Sequence, residues 1–426
     1  MNSEKLIEAA QKFKTPLYVY DGNLIKTRYR ELNHSLNCAT DVKTKLFYAM
    51  KANYNPSILK LLLNEGAGID AVSPAEVMLA LEVGFFPNQI LFTANKITDE
   101  EMRLVKSTGV LFNIGSISRL KKYCKEFPKS SVCIRFNPMI VAGETEKVRT
   151  GGENSKFGIF ISQLDQVLEI TRSADVKIVG VHEHTGSGIP EMVQMKAGMQ
   201  NLLDIVTPKN FPDLIFVDFG GGFKVPYTPG EEKINYDLFG KDATQIFLNR
   251  TKDFYTQFNR RIEMWFEPGK YLVAESGNLL VEVTAIKHNP HKTFAGTNSG
   301  FPQLIRPMFY QAYHHIINLT ANQDNQRRNN CDEISKQIHQ YDIVGNICES
   351  GDCFGVNREM EEIHEGDILS IQTAGAYCYS MGSVYNLRVM PAEVMFLNNS
   401  ITLIRKRLTE QELVAQIIGE CSTDTE

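Results

Sequence analysis

A chain of 426 residues, 43% hydrophobic and 22% charged, is long enough for two ordinary domains, each with a core of its own. A formal charge of -5, with Lys and Arg scattered rather than striped, argues against a nucleic-acid surface. No stretch approaches the roughly 20 uncharged apolar residues that span a bilayer, and the opening MNSEKLIEAAQKFKTP lacks the apolar core of a secretory signal.

That opening reads instead as a short amphipathic helix stopping before Pro16, followed by a β-like run, PLYVYD (16–21). From about residue 40 to 275 short apolar runs alternate with stretches of helical period. The runs are TKLFYAMKA (44–52), GIDAVS (68–73), QILFTAN (89–95), VLFNIGS (110–116), SVCIRFNP (131–138), VKIVGVHEH (176–184), LIFVDFGGG (214–222) and IEMWFEP (262–268). Pieces such as PAEVMLALEVG and SRLKKYCKEF lie between them. Alternating strand and helix implies parallel strands with right-handed crossovers, and eight such units imply a closed (β/α)8 TIM barrel. An open doubly wound sheet is the alternative, weakened because no glycine fingerprint follows the first strand.

Past about residue 275 the pattern changes. LLVEVTAIKH, YDIVGN, DILSIQT, EVMFLNN and SITLIRK are alternating runs broken by polar turns, the pattern of an antiparallel β-barrel or sandwich domain. PLYVYD shares that look and is expected to join it. The expected division is therefore an α/β barrel over residues 25–275 and a β domain built from 1–24 plus 276–426. The polar stretch 319–333 reads as a surface loop or helix cap. Eight cysteines, spread from Cys38 to Cys421 without a CxxC or a zinc-like Cys/His spacing, point to reduced thiols in the cytoplasm and to no metal. Cys348 and Cys353 are the only close pair.

In a barrel of this kind the active site lies at the C-terminal ends of the strands. Lys51 follows the first strand. Arg135 and Asn137 end the fifth; His182, His184, Thr185, Gly186 and Ser187 the sixth; Gly220, Gly221 and Gly222 the seventh; Glu267, Pro268 and Gly269 the eighth. Each has a bland reading: a solvated lysine, a core histidine, an ordinary turn, a loop carboxylate. Their convergence on one rim suits pyridoxal 5'-phosphate chemistry. A lysine forms the Schiff base with the cofactor aldehyde. Backbone N–H groups of a glycine-rich turn at a helix start hold the phosphate. A carboxylate keeps the pyridine nitrogen protonated, and a flat imidazole stacks on the ring.

The motifs FYAMKAN (47–53), SPAEV (73–77), NSKFGI (154–159), HEHTGSG (182–188), DFGGGF (218–223), EPGKYLVAESG (267–277), LIRPMFYQAYH (304–314), CESGD (348–352) and AGAYCYSMGSVYN (374–386) together resemble the diaminopimelate decarboxylases. These are fold-type III pyridoxal-phosphate decarboxylases, with ornithine and arginine decarboxylases as relatives. The resemblance runs from about residue 15 to 400. It implies that Lys51 binds the cofactor, that His184 stacks on the ring, that Ser187 and Gly220 to Gly222 meet the phosphate, and that Glu267 partners the pyridinium, with Gly269 and Lys270 beside it. It implies that Cys348 is the proton donor, supplied by the other subunit of a homodimer. Arg306, Tyr310 and Glu349 become substrate contacts, and Tyr377 a contact to both substrate and cofactor. Asp70 and Glu76 match acidic positions near the lysine.

Two places depart from the family pattern. Lys270 stands where an arginine is usual, keeping the charge but losing the bidentate fork. The stretch before LIRP reads GTNSGFPQ in place of an acidic start and a Gly-Met turn. The reaction implied is decarboxylation of meso-2,6-diaminopimelate to L-lysine and carbon dioxide. Arg306 and Lys270 suit the distal carboxylate of that substrate, and Glu349 the distal ammonium. The nearest rival is a decarboxylase of another basic amino acid, of the ornithine, arginine or carboxynorspermidine type. An alanine-racemase-like enzyme is disfavoured by Glu267, and a non-enzymatic cofactor-binding protein by the β domain and its CESGD.

Overall fold

The computed structural model describes residues 1–144, 147, 149–321 and 338–420. Most of the polar stretch 319–333 therefore lies outside the described residues. The chain divides into two compact units. One holds residues 26–225 and 233–272, the other 1–25, 226–232 and 273–426.

The helix Ser3–Phe13 begins where the Asn2 side chain accepts from Lys5 N–H, and it ends before Pro16 as expected. Strand β1 (Leu17–Asp21) follows. The next strands are β2 (Thr44–Ala49), β3 (Gly68–Ala71), β4 (Ile90–Phe92), β5 (Leu111–Ile114), β6 (Ser131–Asn137), the two-residue β7 (Ile159–Phe160), β8 (Lys177–His182), β9 (Phe216–Asp218) and β10 (Glu263–Phe266). β2 to β6 and β8 to β10 pair in parallel in the order β5-β4-β3-β2-β10-β9-β8-β6, and pairing of β5 with β6 closes the ring. These eight strands coincide with the eight apolar runs, and helices such as Pro56–Glu65 and Pro74–Val83 link them. The doubly wound alternative is excluded because an open sheet has no closing pair.

The barrel interior is layered by the two-residue period of its strands. Phe47, Leu91, Cys133, Phe216 and Trp265 form a buried apolar plug, in which the Phe216 and Trp265 rings stack with centroids 3.5 Å apart. Gly180 makes room for this stack, since a Cβ there would lie 2.2 Å from the Phe216 ring. Two residues further along the same strands stand Thr93, Arg135, His182, Asp218 and Glu267, every one buried. The face that carries the plug thus carries a polar layer directly above it, at the C-terminal ends.

The other unit contains β11 (Gly277–His288), β12 (Thr293–Thr297), β13 (Ile316–Asn318), β14 (Ile338–Val344), β15 (Cys353–Glu361), β16 (Ile368–Ile371), β17 (Ala392–Leu397) and β18 (Ser400–Arg405). With β1 they form one sheet in the order β15-β14-β12-β11-β1-β17-β18, and β16 pairs with both β11 and β13. β1 does join this sheet, between β11 and β17. The sheet is mixed rather than wholly antiparallel, because β1 runs parallel to β17 and β12 parallel to β14. The N-terminal helix covers one face: Leu6, Ile7, Ala9 and Ala10 pack on Leu17, Val19, Leu280, Val394 and Phe396. Tyr18 and Tyr20 point the other way, and the Tyr20 hydroxyl donates to Glu393 Oε1 at 2.8 Å.

Candidate active site at the barrel rim

Lys51 sits in a single 3-10 turn, Met50–Ala52, that continues β2. Its Nζ lies 2.5 Å from Asp70 Oδ2, and its side chain is 39% exposed, so the amine is held by a buried carboxylate yet open to a ligand. Burial pushes the Asp70 carboxyl up, with the Glu267 charge adding to it, while the Lys51 ammonium pulls it down. Glu76 acts locally, accepting Val72 N–H at 2.7 Å at the start of the helix Pro74–Val83.

Glu267 is buried, with Oε2 3.2 Å from His182 Nε2 and Oε1 without a hydrogen-bond partner. Asp218 lies close by. Its Oδ1 accepts Gly220 N–H at 2.8 Å, and its Oδ2 has no partner. Burial raises both carboxyls, and for Asp218 the charge of Glu267 raises it further. His182 and His184 are held well below the usual imidazole range, first by burial and then by the Arg135 guanidinium, so both rings are neutral.

The glycine triplet is dictated by space. At Gly220 (φ +64°) a Cβ would lie 2.6 Å from His184 Nδ1, and at Gly221 2.5 Å from Glu267 O. Gly222 has φ +117° and would place a Cβ 3.0 Å from Gly186 O. The helix expected at this turn does not start there; the next helix begins at Tyr236, after a long loop. Gly220 N–H is taken by Asp218, and Gly221 N–H donates to His184 Nδ1 at 3.0 Å. The turn is therefore shaped by the polar layer beneath it rather than by a helix dipole. The Gly221 bond also fixes the neutral His184 as the Nε2–H tautomer.

Ser187 and Gly188 form the neighbouring turn. Lys270 Nζ, nearly buried, donates to Glu144 Oε2, and Glu144 N–H donates to Ser187 O at 3.0 Å. A Cβ on Gly188 would meet that Glu144 oxygen at 2.2 Å and Lys270 Nζ at 3.0 Å. A carboxylate oxygen is thus seated between the Ser187–Gly188 turn and the Lys270 ammonium, which marks the spot as an anion position. Gly269 packs against Ala49 and Ala52, where a Cβ would approach to 3.2 Å.

The remaining predicted residues belong to the β unit. Arg306 is buried, its Nη1 3.2 Å from His314 Nε2 and its guanidinium 4.6 Å over the Tyr227 ring. His314 Nδ1 meets Gln372 O at 2.8 Å. Tyr310 OH donates to Met381 Sδ at 3.9 Å. Cys348 and Glu349 are exposed; Cys348 N–H donates to Asn386 Oδ1 at 3.2 Å, and Tyr385 OH donates to Glu349 Oε1 at 2.8 Å. Asp352 ties this loop down, accepting Ile347 N–H at 3.1 Å and Phe301 N–H at 2.6 Å. The unusual GTNSGFPQ is thereby closed into a turn, with Gln303 Oε1 accepting Gly300 N–H at 2.9 Å. Tyr377 is half-buried with φ +57°, a conformation that costs energy for a tyrosine.

Sequence reasoning named His182 and Arg135 at strand ends without a role. It passed over Asp218, Glu144, His314, Tyr385 and Asp352. For Asp218 a signal was available, since it stands two residues before Gly220 on the inward face. For Glu144 and His314 there was none, because their partners are distant in sequence.

Residues 23–274 match the family described as "Pyridoxal-dependent decarboxylase, pyridoxal binding domain". The chain is 38% identical over 412 residues to the diaminopimelate decarboxylase of Methanothermobacter thermautotrophicus, covering 96% of this chain and 92% of that one. Its fold is similar to the crystal structure of diaminopimelate decarboxylase from Helicobacter pylori complexed with L-lysine, with a TM-score of 0.83, 30% identity and coverage of 99% and 100%. It is equally similar to that of M. jannaschii in co-complex with L-lysine, with a TM-score of 0.84, 30% identity and coverage of 96% and 94%.

Proposed function

Because the chain belongs to the diaminopimelate decarboxylase family of pyridoxal-dependent decarboxylases, we propose that it converts meso-2,6-diaminopimelate to L-lysine and carbon dioxide, using pyridoxal 5'-phosphate. The observation that carries this reading is one barrel rim with an accessible lysine, a glycine turn, an anion position at Lys270 and a buried carboxylate with one unpartnered oxygen. Each matches one part of the cofactor: aldehyde, phosphate and ring nitrogen. When bound, the cofactor would supply an aldehyde for the substrate amine and an electron sink for the pair that a departing carboxylate leaves.

The chain's own residues divide the remaining work. Lys51 would hold the cofactor through its aldehyde, and in the free chain Asp70 keeps the Lys51 ammonium in place. Glu267 Oε1 accepts the ring N–H and so maintains the positive ring. His184, locked by Gly221, presents a neutral face to it. Ser187, Gly222 N–H and Lys270 hold the phosphate, with Lys270 leaving Glu144 for the stronger anion. Gly269 keeps the backbone beside Lys51 close-packed. On the β unit Arg306 meets the distal carboxylate, Glu349 the distal ammonium, and Tyr310 and Tyr377 line the substrate. Cys348 returns a proton to the α-carbon.

In this reading the barrel over residues 25–275 carries the cofactor, and the β domain of 1–24 with 276–426 supplies Cys348 to the site of a second subunit. A homodimer is supported by exposed Met308, Phe309, Val384, Tyr385 and Leu387 in the segments that meet the Cys348–Gly351 loop, an apolar set that a second copy of the chain would cover. A cytoplasmic location is consistent with six described cysteines that are all unpaired, and among the described residues no helix is long and apolar enough to cross a membrane. Carbon dioxide release measured on meso-diaminopimelate against ornithine, arginine, lysine and carboxynorspermidine tests the substrate. Faster turnover of any other member of that panel would overturn it.

A further inference from the structure

The structure treats the two oxygens of Glu267 differently. Oε2 lies 3.2 Å from His182 Nε2, and Oε1 has no hydrogen-bond partner. His182 ends β8, fully buried, level with Arg135 on β6 and Asp218 on β9. To accept the cofactor's ring N–H Glu267 has to be ionised, and an ionised carboxylate only accepts, so in that state the imidazole proton sits on Nε2. Nδ1 is then a bare acceptor, and it too lacks a partner. An imidazole that leaves one buried nitrogen unsatisfied does so at a cost, which the bond to Glu267 has to offset.

We propose that His182 is a positioning residue: its Nε2–H holds Glu267 Oε2 and thereby presents Oε1 to the cofactor's ring nitrogen, keeping that nitrogen protonated. The inference rests on the assignment of Glu267 to the ring nitrogen made above. Neutrality of the imidazole is part of the device. A second ring proton would place a cation against the carboxylate that must serve the ring, and burial with the nearby Arg135 guanidinium keeps that proton off.

Other groups around Glu267 act on it as well, while His182 Nε2 makes the hydrogen bond to Oε2. Lys51 and Arg135 lower its pKa by their charge, and Asp218 and Thr93 lower it by side-chain hydrogen bonding. Lys51 is engaged with Asp70 on β3. Asp218 spends Oδ1 on Gly220 N–H. Thr93 Oγ1 accepts from Asn113 at 3.3 Å, which leaves its own hydroxyl proton to donate towards Glu267. Glu183, next to His182 in the chain, accepts the Thr185 hydroxyl.

The test uses holoenzyme carrying pyridoxal phosphate labelled with 15N in the ring, followed by NMR from about pH 6 to about pH 9. Three variants separate donor from bulk. His182→Gln reaches the same point with an N–H, His182→Asn falls one atom short, and His182→Leu fills the space without a donor. In the parent and His182→Gln the ring nitrogen should stay protonated throughout. In His182→Asn and His182→Leu its apparent pKa should fall by about one to two units, the effect of one charge-assisted hydrogen bond. kcat should fall in step, by about ten- to a hundredfold, with KM little changed. A ring-nitrogen profile like the parent's in His182→Asn, or in His182→Leu where it takes up cofactor, would overturn the inference, as would loss of protonation in His182→Gln. Glu267→Gln is the control for the underlying assignment. If it leaves the ring nitrogen protonated, the role of Glu267 itself is wrong. If it deprotonates the ring while His182→Asn and His182→Leu do not, only the role of His182 fails.

Discussion

Glu183, between the two rim histidines, offers a pH-dependent stability that one substitution should erase. It is buried, its Oε2 accepts the Thr185 hydroxyl at 2.9 Å, and Gly198 lies against it with no room for a Cβ. Burial pushes its carboxyl from 4.5 up to about 8. A carboxyl raised on folding binds more protons in the folded chain than in the unfolded one between these two values. Stability is therefore full below about pH 4.5 and falls as pH climbs to about 8. With roughly 1.4 kcal/mol per pH unit, the ionisation costs about 1 kcal/mol at pH 5, about 3 at pH 7 and about 5 above pH 9. Glu183→Gln keeps the volume and an oxygen for Thr185 but cannot ionise. Urea unfolding at pH 5, 7 and 9, at fixed protein and cofactor concentration, should show the variant gaining about 2 kcal/mol on the parent between pH 5 and 7. A further gain of about 1 to 2 kcal/mol should follow by pH 9. Taking the difference cancels His182 and His184, whose lowered pKa values act oppositely: their stability is present above about pH 6.5 and lost as pH falls. A difference that stays constant from pH 5 to 9 would refute the buried, protonated state of Glu183.

Lys51→Ala should abolish the visible absorbance of lysine-bound cofactor, and a variant that retains it would remove Lys51 from its role. Glu144→Gln should tighten cofactor binding several-fold in a fluorescence titration, because Lys270 no longer has an internal anion to give up; weaker binding would mean that Glu144 supports the phosphate site instead. Neutralising buried Arg306 should cost about 2–5 kcal/mol in kcat/KM for diaminopimelate, the penalty for leaving one desolvated charge unpaired; neutralising exposed Glu349 should also lower kcat/KM, and unchanged kinetics in both would point to a different substrate. Lys51→Ala and Cys348→Ala homodimers should both be nearly inactive, yet a subunit-exchanged mixture should regain up to about a quarter of wild-type activity, since about half of its dimers carry one intact site of two. No recovery, with exchange confirmed by mass, would place both residues in one subunit.

The barrel was legible because its strands are buried on both faces and stand out as eight apolar runs, from TKLFYAM to IEMWFEP. The rim was legible for a related reason. A strand's two-residue period carries the inward face past the apolar plug, so Arg135, His182, His184 and Glu267 had to emerge at the strand ends. PLYVYD also declared itself, since four fully buried residues in a row suit only a central strand.

Other features left no local trace. β12, β13 and β15 are short or polar, and what makes them strands is the ladder they complete. Whether β1 runs parallel or antiparallel to β17 depends on where residues 21 to 392 travel, which no window of sequence contains. The glycine turn looked like a helix start, because three glycines in a row predict close approach but not what approaches; here it is His184 and the backbone of Glu267. Sequence by itself determined which side chains reach the barrel rim, because strand periodicity is local. Only the tertiary structure decided their partners and protonation, His182 with Glu267 and Lys270 with Glu144, and in the β unit it paired Arg306 with His314. Burial and through-space charge arise only when distant segments meet.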